Sequence, residues 1–306
     1  MDADLDTLAT ALYVFTDDVL KDHPDRLPRR PRVGIAPKIS DAELLTLAVI
    51  QALLGYPSER RWLRYANANL REMFPALPGQ SGYNKRLRKL GDTMTWLIGA
   101  LAAATSVATD DVWLVDSTPV ECGRSRETAK RSDLAGWAEH GYCASHSRFF
   151  WGLRLHLVCT VHGLPLGWAL TGAKADERLA LADIVATTPT LRAAARDGRQ
   201  LLIGDKNYFG KAFEADLAEA GIDLLRPTRK GEHPRVGERF FKPLRQIIES
   251  VNDTLKGQLD LEHHGGRTIA GVCIRVAQRV LALTAAIWHN DNLGLRIRRS
   301  LTAYDH

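Results

Sequence analysis

Apolar and polar positions follow two different periods along the chain, and the change falls near residue 110. Before it, the spacing is helical. Ser40 and Glu43 form an S-x-x-E capping box, behind which Leu44, Leu45, Leu47, Ala48, Val49 and Leu53 supply an apolar helix. Gly55-Tyr56-Pro57-Ser58 breaks it. A second helix is expected over 58–72, a loop over 75–82, and a third helix opening on Tyr83-Asn84-Lys85-Arg86-Leu87-Arg88-Lys89. The uncharged run Thr93 to Thr109 is slightly short for a membrane span and reads as a buried core helix. Residues 24–38, with four Pro and several Arg, read as an extended basic arm.

After residue 110 the pattern becomes one of short strands and intervening helices. Val112-Trp113-Leu114-Val115 is an apolar strand ending in Asp116. Residues 151–161 alternate, with Leu153, Leu155 and Leu157 on one face and Arg154 and His156 on the other. His162-Gly163 turns the chain into a return strand over 164–170. A helix from Asp176 is interrupted near Pro189. The strand Leu201-Leu202-Ile203 ends in Gly204-Asp205, and a helix over 208–220 leads to a strand over 222–225. Helices over 237–259 and 268–288 follow. The expectation is an α/β fold preceded by an all-α N-terminal region.

Charge alters this picture only through its distribution. The 306-residue chain has 41 Lys and Arg against 36 Asp and Glu, a net charge of +5. Residues 1–20 hold five aspartates and no basic residue. Residues 51–90 hold eight basic residues against two acidic, and residues 224–256 eight against four. Blocks of this kind can meet phosphate, although each taken alone is also what a solvated face looks like. The composition, with 45% hydrophobic and 25% charged residues, excludes a mainly disordered chain. Four cysteines in a chain this long make no disulfide framework, and the acidic start lacks the features of a signal peptide. A cytoplasmic protein without a membrane association is expected.

Two carboxylates, Asp116 and Asp205, close short apolar strands, where active sites of α/β sheets collect. A third, Glu249, lies on the long helix. Stepping about 100° per residue from Leu244, the apolar residues Leu244, Ile247, Ile248, Val251, Leu255 and Leu259 share one face. Arg245, Glu249, Asn252 and Lys256 form a polar stripe on its flank. An ordinary amphipathic helix with an Arg245–Glu249 pair would look the same. The short helices and basic segment Lys85, Arg86, Arg88 and Lys89 are compatible with a helix-turn-helix DNA reader.

Four segments together resemble the DDE transposases of bacterial insertion sequences. They are Leu114-Val115-Asp116-Ser117-Thr118, the strand from Trp151 to Leu157, Gly204-Asp205-Lys206-Asn207-Tyr208, and the helical stretch from Arg245 to Lys256. The resemblance covers residues 110 to 290. It implies an RNase H-like mixed five-stranded sheet flanked by helices. The implied domains are a helical DNA-binding region over 1–110, a catalytic domain over 111–290 and a basic tail over 291–306. It further implies that Asp116, Asp205 and Glu249 are catalytic and bind Mg²⁺, with Mn²⁺ able to substitute. Arg245 and Lys256 match the basic members of the family's Tyr-x2-Arg-x3-Glu-x6-Lys signature, while Lys242 stands where the tyrosine is expected. Lys242, Arg245, Asn252 and Lys256, with Lys85, Arg86, Arg88 and Lys89, are the expected DNA contacts.

The function implied is metal-dependent cleavage and strand transfer at the ends of a mobile element. Its partners would be double-stranded DNA, in the form of terminal inverted repeats and target, and a second copy of the chain in a synaptic homodimer. The chain would work in the bacterial cytoplasm at the nucleoid. An inactive DNA-binding relic, or a host RNase H-like nuclease that cuts without joining, would keep much of the same pattern. A glycosidase fits the basic stripe poorly. His140, Cys143 and His146, with Cys122, do not have standard zinc spacing and read as scattered loop residues. The stretch 121–148 is expected to be a loop, Trp151 and Trp168 core residues, and Arg296, Arg298 and Arg299 a solvated end.

Overall fold

The computed structural model describes residues 3–29, 36–143, 147–233, 237 and 240–304. The chain divides into two compact units. One comprises residues 1–101 and 255–306, the other residues 102–254.

The first unit is helical. It contains α1 (Ala3–Asp22), α2 (Asp41–Leu53), α3 (Glu59–Asn69), α4 (Gln80–Lys89), most of α5 (Gly91–Ala103) and, from the C-terminal part of the chain, α11 (Ile269–Asn292). The capping box at α2 forms as expected, with Ser40 Oγ accepting from the Glu43 N–H at 3.0 Å and Glu43 Oε2 from the Ser40 N–H at 2.6 Å. Helix α11 is long and apolar enough to cross a membrane by length and composition, yet most of it is buried against the other helices. It runs four residues beyond its expected end at 288. Its polar residues explain where it packs. Arg275 pairs with Glu59 at 2.5 Å, and Gln278 donates to the Ala48 carbonyl at 2.6 Å and to Gln51 Oε1 at 3.2 Å. Tyr83 hydroxyl donates to the same Gln51 oxygen at 2.8 Å. Residues 255–290 were expected to complete the domain begun at 111, but these bonds place α11 with the helices before residue 102.

Of the residues expected as a solvated end, Arg296 is exposed, whereas Arg298 and Arg299 are part-buried. Asn290 Nδ2 donates to the carbonyls of Arg298 and Ser300, Arg298 pairs with Asp291, and Tyr304 is buried with its hydroxyl on Asn290 Oδ1.

The second unit is a mixed sheet with helices packed on it. Its strands are β1 (Val112–Gly123), β2 (Glu139–Cys143), β3 (Arg148–Thr160), β4 (Pro165–Gly172), β5 (Gln200–Ile203) and β6 (Ile222–Leu225). Strand β1 runs antiparallel to β3 on one side and parallel to β5 on the other, and β5 runs parallel to β6. Strands β2 and β4 both pair with β3, at its start and its remainder respectively. Leaving β2 aside, the order is β4-β3-β1-β5-β6, the RNase H-like arrangement. The sixth strand, β2, with helix α6 (Arg126–Arg131), structures much of the stretch expected to be a loop. The His162-Gly163 turn forms with Gly163 at φ 83°, which an L side chain rarely adopts.

Helices α7 (Glu177–Thr187), α8 (Pro189–Asp197), α9 (Lys211–Glu219) and α10 (Phe241–Asp253) complete this unit. The apolar face of α10 packs as its periodicity demands. Ile248 and Phe241, with Leu244 and Ile247, lie against Leu114, Cys159 and Ile203 of the sheet. The helix stops earlier than the expected 259, and Thr254–Gln258 winds as a π-helical turn. A turn of that kind breaks the step of about 100° per residue that put Lys256 in line with Glu249.

Candidate active site

The expected strand ended at Asp116, where the apolar run stops. Instead β1 continues to Gly123, held by β3 in register from Trp113 opposite Thr160 to Gly123 opposite Trp151. Its parallel partner β5 pairs only with Val112, Trp113 and Leu114. The last parallel pair is Leu114 with Ile203, so two further residues along each chain bring Asp116 and Asp205 level. Strand β1 therefore outruns β5, and the two aspartates meet where β5 ends. Gly204 lets the chain turn there. A Cβ on it would lie 2.9 Å from Tyr208 Cδ2 and 3.2 Å from Val115 Cγ1.

Both carboxyls feel the confinement. Burial pushes Asp116 up to about 6; the Ser117 N–H pulls it down, and Asp205 pushes it further up. Asp205 is also raised, first by burial, against the Asn207 N–H that pulls it down. Asn207 holds both Asp205 oxygens, Oδ1 through its backbone N–H at 2.7 Å and Oδ2 through its side chain at 3.0 Å.

Helix α10 reaches this edge. Asn252 Nδ2 donates to Asp116 Oδ2 at 2.9 Å, and the charge of Arg245 lowers both aspartates. Arg245, Glu249 and Asn252 stand four and three residues apart and so share one helix face. Glu249 is half-exposed and lies 3.4 Å from Arg245. Asn252, expected at DNA, is 5% exposed and serves Asp116 instead. Lys256 lies in the π-helical turn, part-buried. The side chain of Lys242 falls outside the described residues.

Sequence reasoning missed three residues at this edge. Glu177, at the first position of α7, accepts from Ser117 Oγ at 2.5 Å and lies 3.4 Å from Arg154, which in turn donates to Ser117 Oγ at 3.0 Å. An acidic residue in a first helical turn is ordinary, so the sequence carried no signal beyond it. Tyr208 is buried, and neither its hydroxyl nor Asn252 Oδ1 has a hydrogen-bond partner among the described residues.

Oxygen donors, two unsatisfied polar atoms and two carboxyls raised by burial suit a hydrated, hard divalent cation, whose charge would favour their ionised form. Among the described residues, no three His, Cys, Asp or Glu side chains are close enough to hold a metal already. The zinc arrangement gains no support either. Cys143 is packed against Phe150 and Ala173, and His146 lies outside the described residues.

The basic blocks divide into two kinds. In α4, Lys85, Arg88 and Lys89 are exposed, whereas Arg86 is tied to Asp41 and to the Ile39 carbonyl at 2.9 Å. Arg226 is buried between Glu214 at 2.9 Å and Glu232 at 2.8 Å. The connections before and after α3 span residues 54–58 and 70–79, longer than the usual helix-turn-helix turn.

The strand order is RNase H-like, and it brings two aspartates level at the end of β5. The family described as "Transposase DDE domain" matches residues 106–269, more than half of the chain, and the chain belongs to that family. Among solved structures, a piggyBac transposase in a synaptic complex with hairpin DNA is similar at 9% identity and a TM-score of 0.42. The match covers 97% of this chain and 77% of that one. No curated protein matches the chain.

Proposed function

We propose that the chain is the transposase of a bacterial insertion sequence. It binds the terminal repeats of its element and cuts and joins DNA with Mg²⁺, through Asp116, Asp205 and Glu249. The observation that carries this reading is the register that sets Asp116 level with Asp205 while α10 fastens Asn252 to Asp116. Glu249 shares the helix face of Arg245 and Asn252 and is half-exposed, so exchanging its 3.4 Å pairing with Arg245 for a cation would bring its carboxylate to the same edge.

The three carboxylates would hold the cation. A Mg²⁺ held there would supply Lewis-acid polarisation of the phosphate and stabilisation of the oxygens that attack and leave. The residues of the chain do the rest. Asn252 and Asn207 orient the two aspartates, and Arg245 faces them as the cationic group for a DNA phosphate. Lys256 and Lys242 are further phosphate contacts, and exposed Lys85, Arg88 and Lys89 give the helical unit its DNA-facing charge. Two copies would pair the element ends, in the cytoplasm at the nucleoid.

The test is cleavage and strand transfer on DNA carrying the element ends. Asp116→Asn, Asp205→Asn and Glu249→Gln should each abolish cleavage and leave DNA binding intact. Cleavage by all three variants would refute the triad. Cutting without any joined product would identify a nuclease instead.

A further inference from the structure

The edge where Asp116 and Asp205 meet carries another carboxylate, fastened to the site by a different residue. Ser117 follows Asp116 in β1, and successive side chains of a strand point to opposite faces. Asp116 faces α10 and meets Asn252, while Ser117 faces the other way and meets α7. The Ser117 backbone N–H bonds the Asp116 carboxyl, and its hydroxyl donates to Glu177 at 2.5 Å and accepts from Arg154 at 3.0 Å. One residue thus joins two carboxylates across the sheet.

The arrangement is sheltered. The side chains of Arg154 and Glu177 are only 16% and 19% exposed, and Arg154 also reaches the Tyr142 carbonyl at 3.4 Å. The charge of Glu177 acts on Asp116, Asp205 and Tyr208 together, raising each. Tyr208, 1% exposed, has a hydroxyl with no partner among the described residues at this same place. Arg154 offsets the added negative charge and keeps Glu177 oriented.

We infer that Glu177 is a positioning residue of the metal centre, acting through Ser117 to fix the Asp116 carboxylate and adding its charge to the field at the cation. This rests on the reading that Asp116 and Asp205 hold the cation. Removing a partner that lies outside a metal's own ligands changes the metal's affinity by about 10- to 100-fold.

The experiment is Mn²⁺ binding to the full chain without DNA, read by the loss of free-ion EPR signal. Glu177→Gln removes the charge but not the bulk, and should weaken Mn²⁺ binding about tenfold or more with the chain still folded and DNA binding unchanged. Ser117→Ala breaks the link while keeping the carboxylate, and should weaken it too. Wild-type affinity in both variants, with Asp116→Asn and Asp205→Asn losing Mn²⁺, would overturn the inference and leave the proposed site standing. Wild-type affinity in the two aspartate variants would overturn both. Should Glu177→Gln fail to fold, Ser117→Ala decides: weakened binding with the chain still folded supports the inference, and wild-type affinity overturns it.

Discussion

Asn252 donates a 2.9 Å hydrogen bond from α10 to the Asp116 carboxylate in β1, and its own carbonyl oxygen is buried without a partner among the described residues. The bond ties the helix that carries Glu249 to the strand that carries Asp116. Asn252→Ala removes this orienting bond and leaves the Asp116, Asp205 and Glu249 carboxylates in place. Cleavage should fall about 10- to 100-fold, with DNA binding unchanged. An Asn252→Ala protein that cuts at the wild-type rate would show that the bond is structural only.

The exposed and the buried basic residues of α4 should separate in experiment. Lys85, Arg88 and Lys89 are open to solvent, while Arg86 is engaged by Asp41 and the Ile39 carbonyl. Replacing the three exposed residues by Ala should weaken binding to element-end DNA. The slope of log affinity against log salt should become shallower by about 0.9 for each phosphate that the variant no longer neutralises. Arg86→Ala should instead lower Tm. Fluorescence anisotropy across a salt series, with melting curves beside it, checks both.

His156 gives the fold a pH signature. Burial pushes its imidazole down to about 4; Glu177 pushes the other way and Arg154 pushes it further down. It is fully buried, with Nε2 2.9 Å from Thr171 Oγ1. Below pH 6.5 the unfolded chain takes up a proton that the folded chain does not. Stability from this group is therefore complete above 6.5 and is lost as pH falls toward 4, by about 2 kcal/mol between pH 7 and 5. Asp116, raised to about 6 in the folded state, acts in the opposite sense as pH falls. Denaturant unfolding of wild type against His156→Gln isolates the histidine, and the wild type should show the steeper acid loss. Parallel profiles would show that the histidine does not contribute.

In the helical unit, Glu59 and Arg275 form a sheltered pair, with Asn84 donating to the same Glu59 oxygen at 2.8 Å. Glu59→Ala leaves the guanidinium with Gln278 as its remaining side-chain partner at 3.0 Å. Breaking one side of such a pair costs about 3–5 kcal/mol. Thermal unfolding should show a large drop in Tm. A shift of a degree or less would mean that solvent replaces the missing carboxylate.

The two aspartates were legible in the sequence because each follows an apolar strand, and the face of α10 was legible because its period is long and regular. The extent of β1 was not. Asp116-Ser117-Thr118-Pro119 has the local chemistry of a turn, and only the pairing with β3, more than thirty residues away, holds it extended. Glu177 was hidden for the opposite reason, since its local role as a first-turn acid explained it fully. The sequence marked α11 as a last helix over 268–288 but not what it packs against. That is settled by Arg275 and Gln278 finding Glu59, Ala48 and Gln51, some 220 residues earlier in sequence.

The placement of α11 has a consequence for shortened forms of the protein. Because the helical unit draws on both ends of the chain, a stop codon near residue 260 would spare every carboxylate of the sheet and strip the first five helices of their central partner. Such a product should lose its hold on DNA before it loses its chemistry. A fragment ending at residue 110 would likewise expose the Glu59 carboxylate and the apolar side of α2, and should not fold on its own.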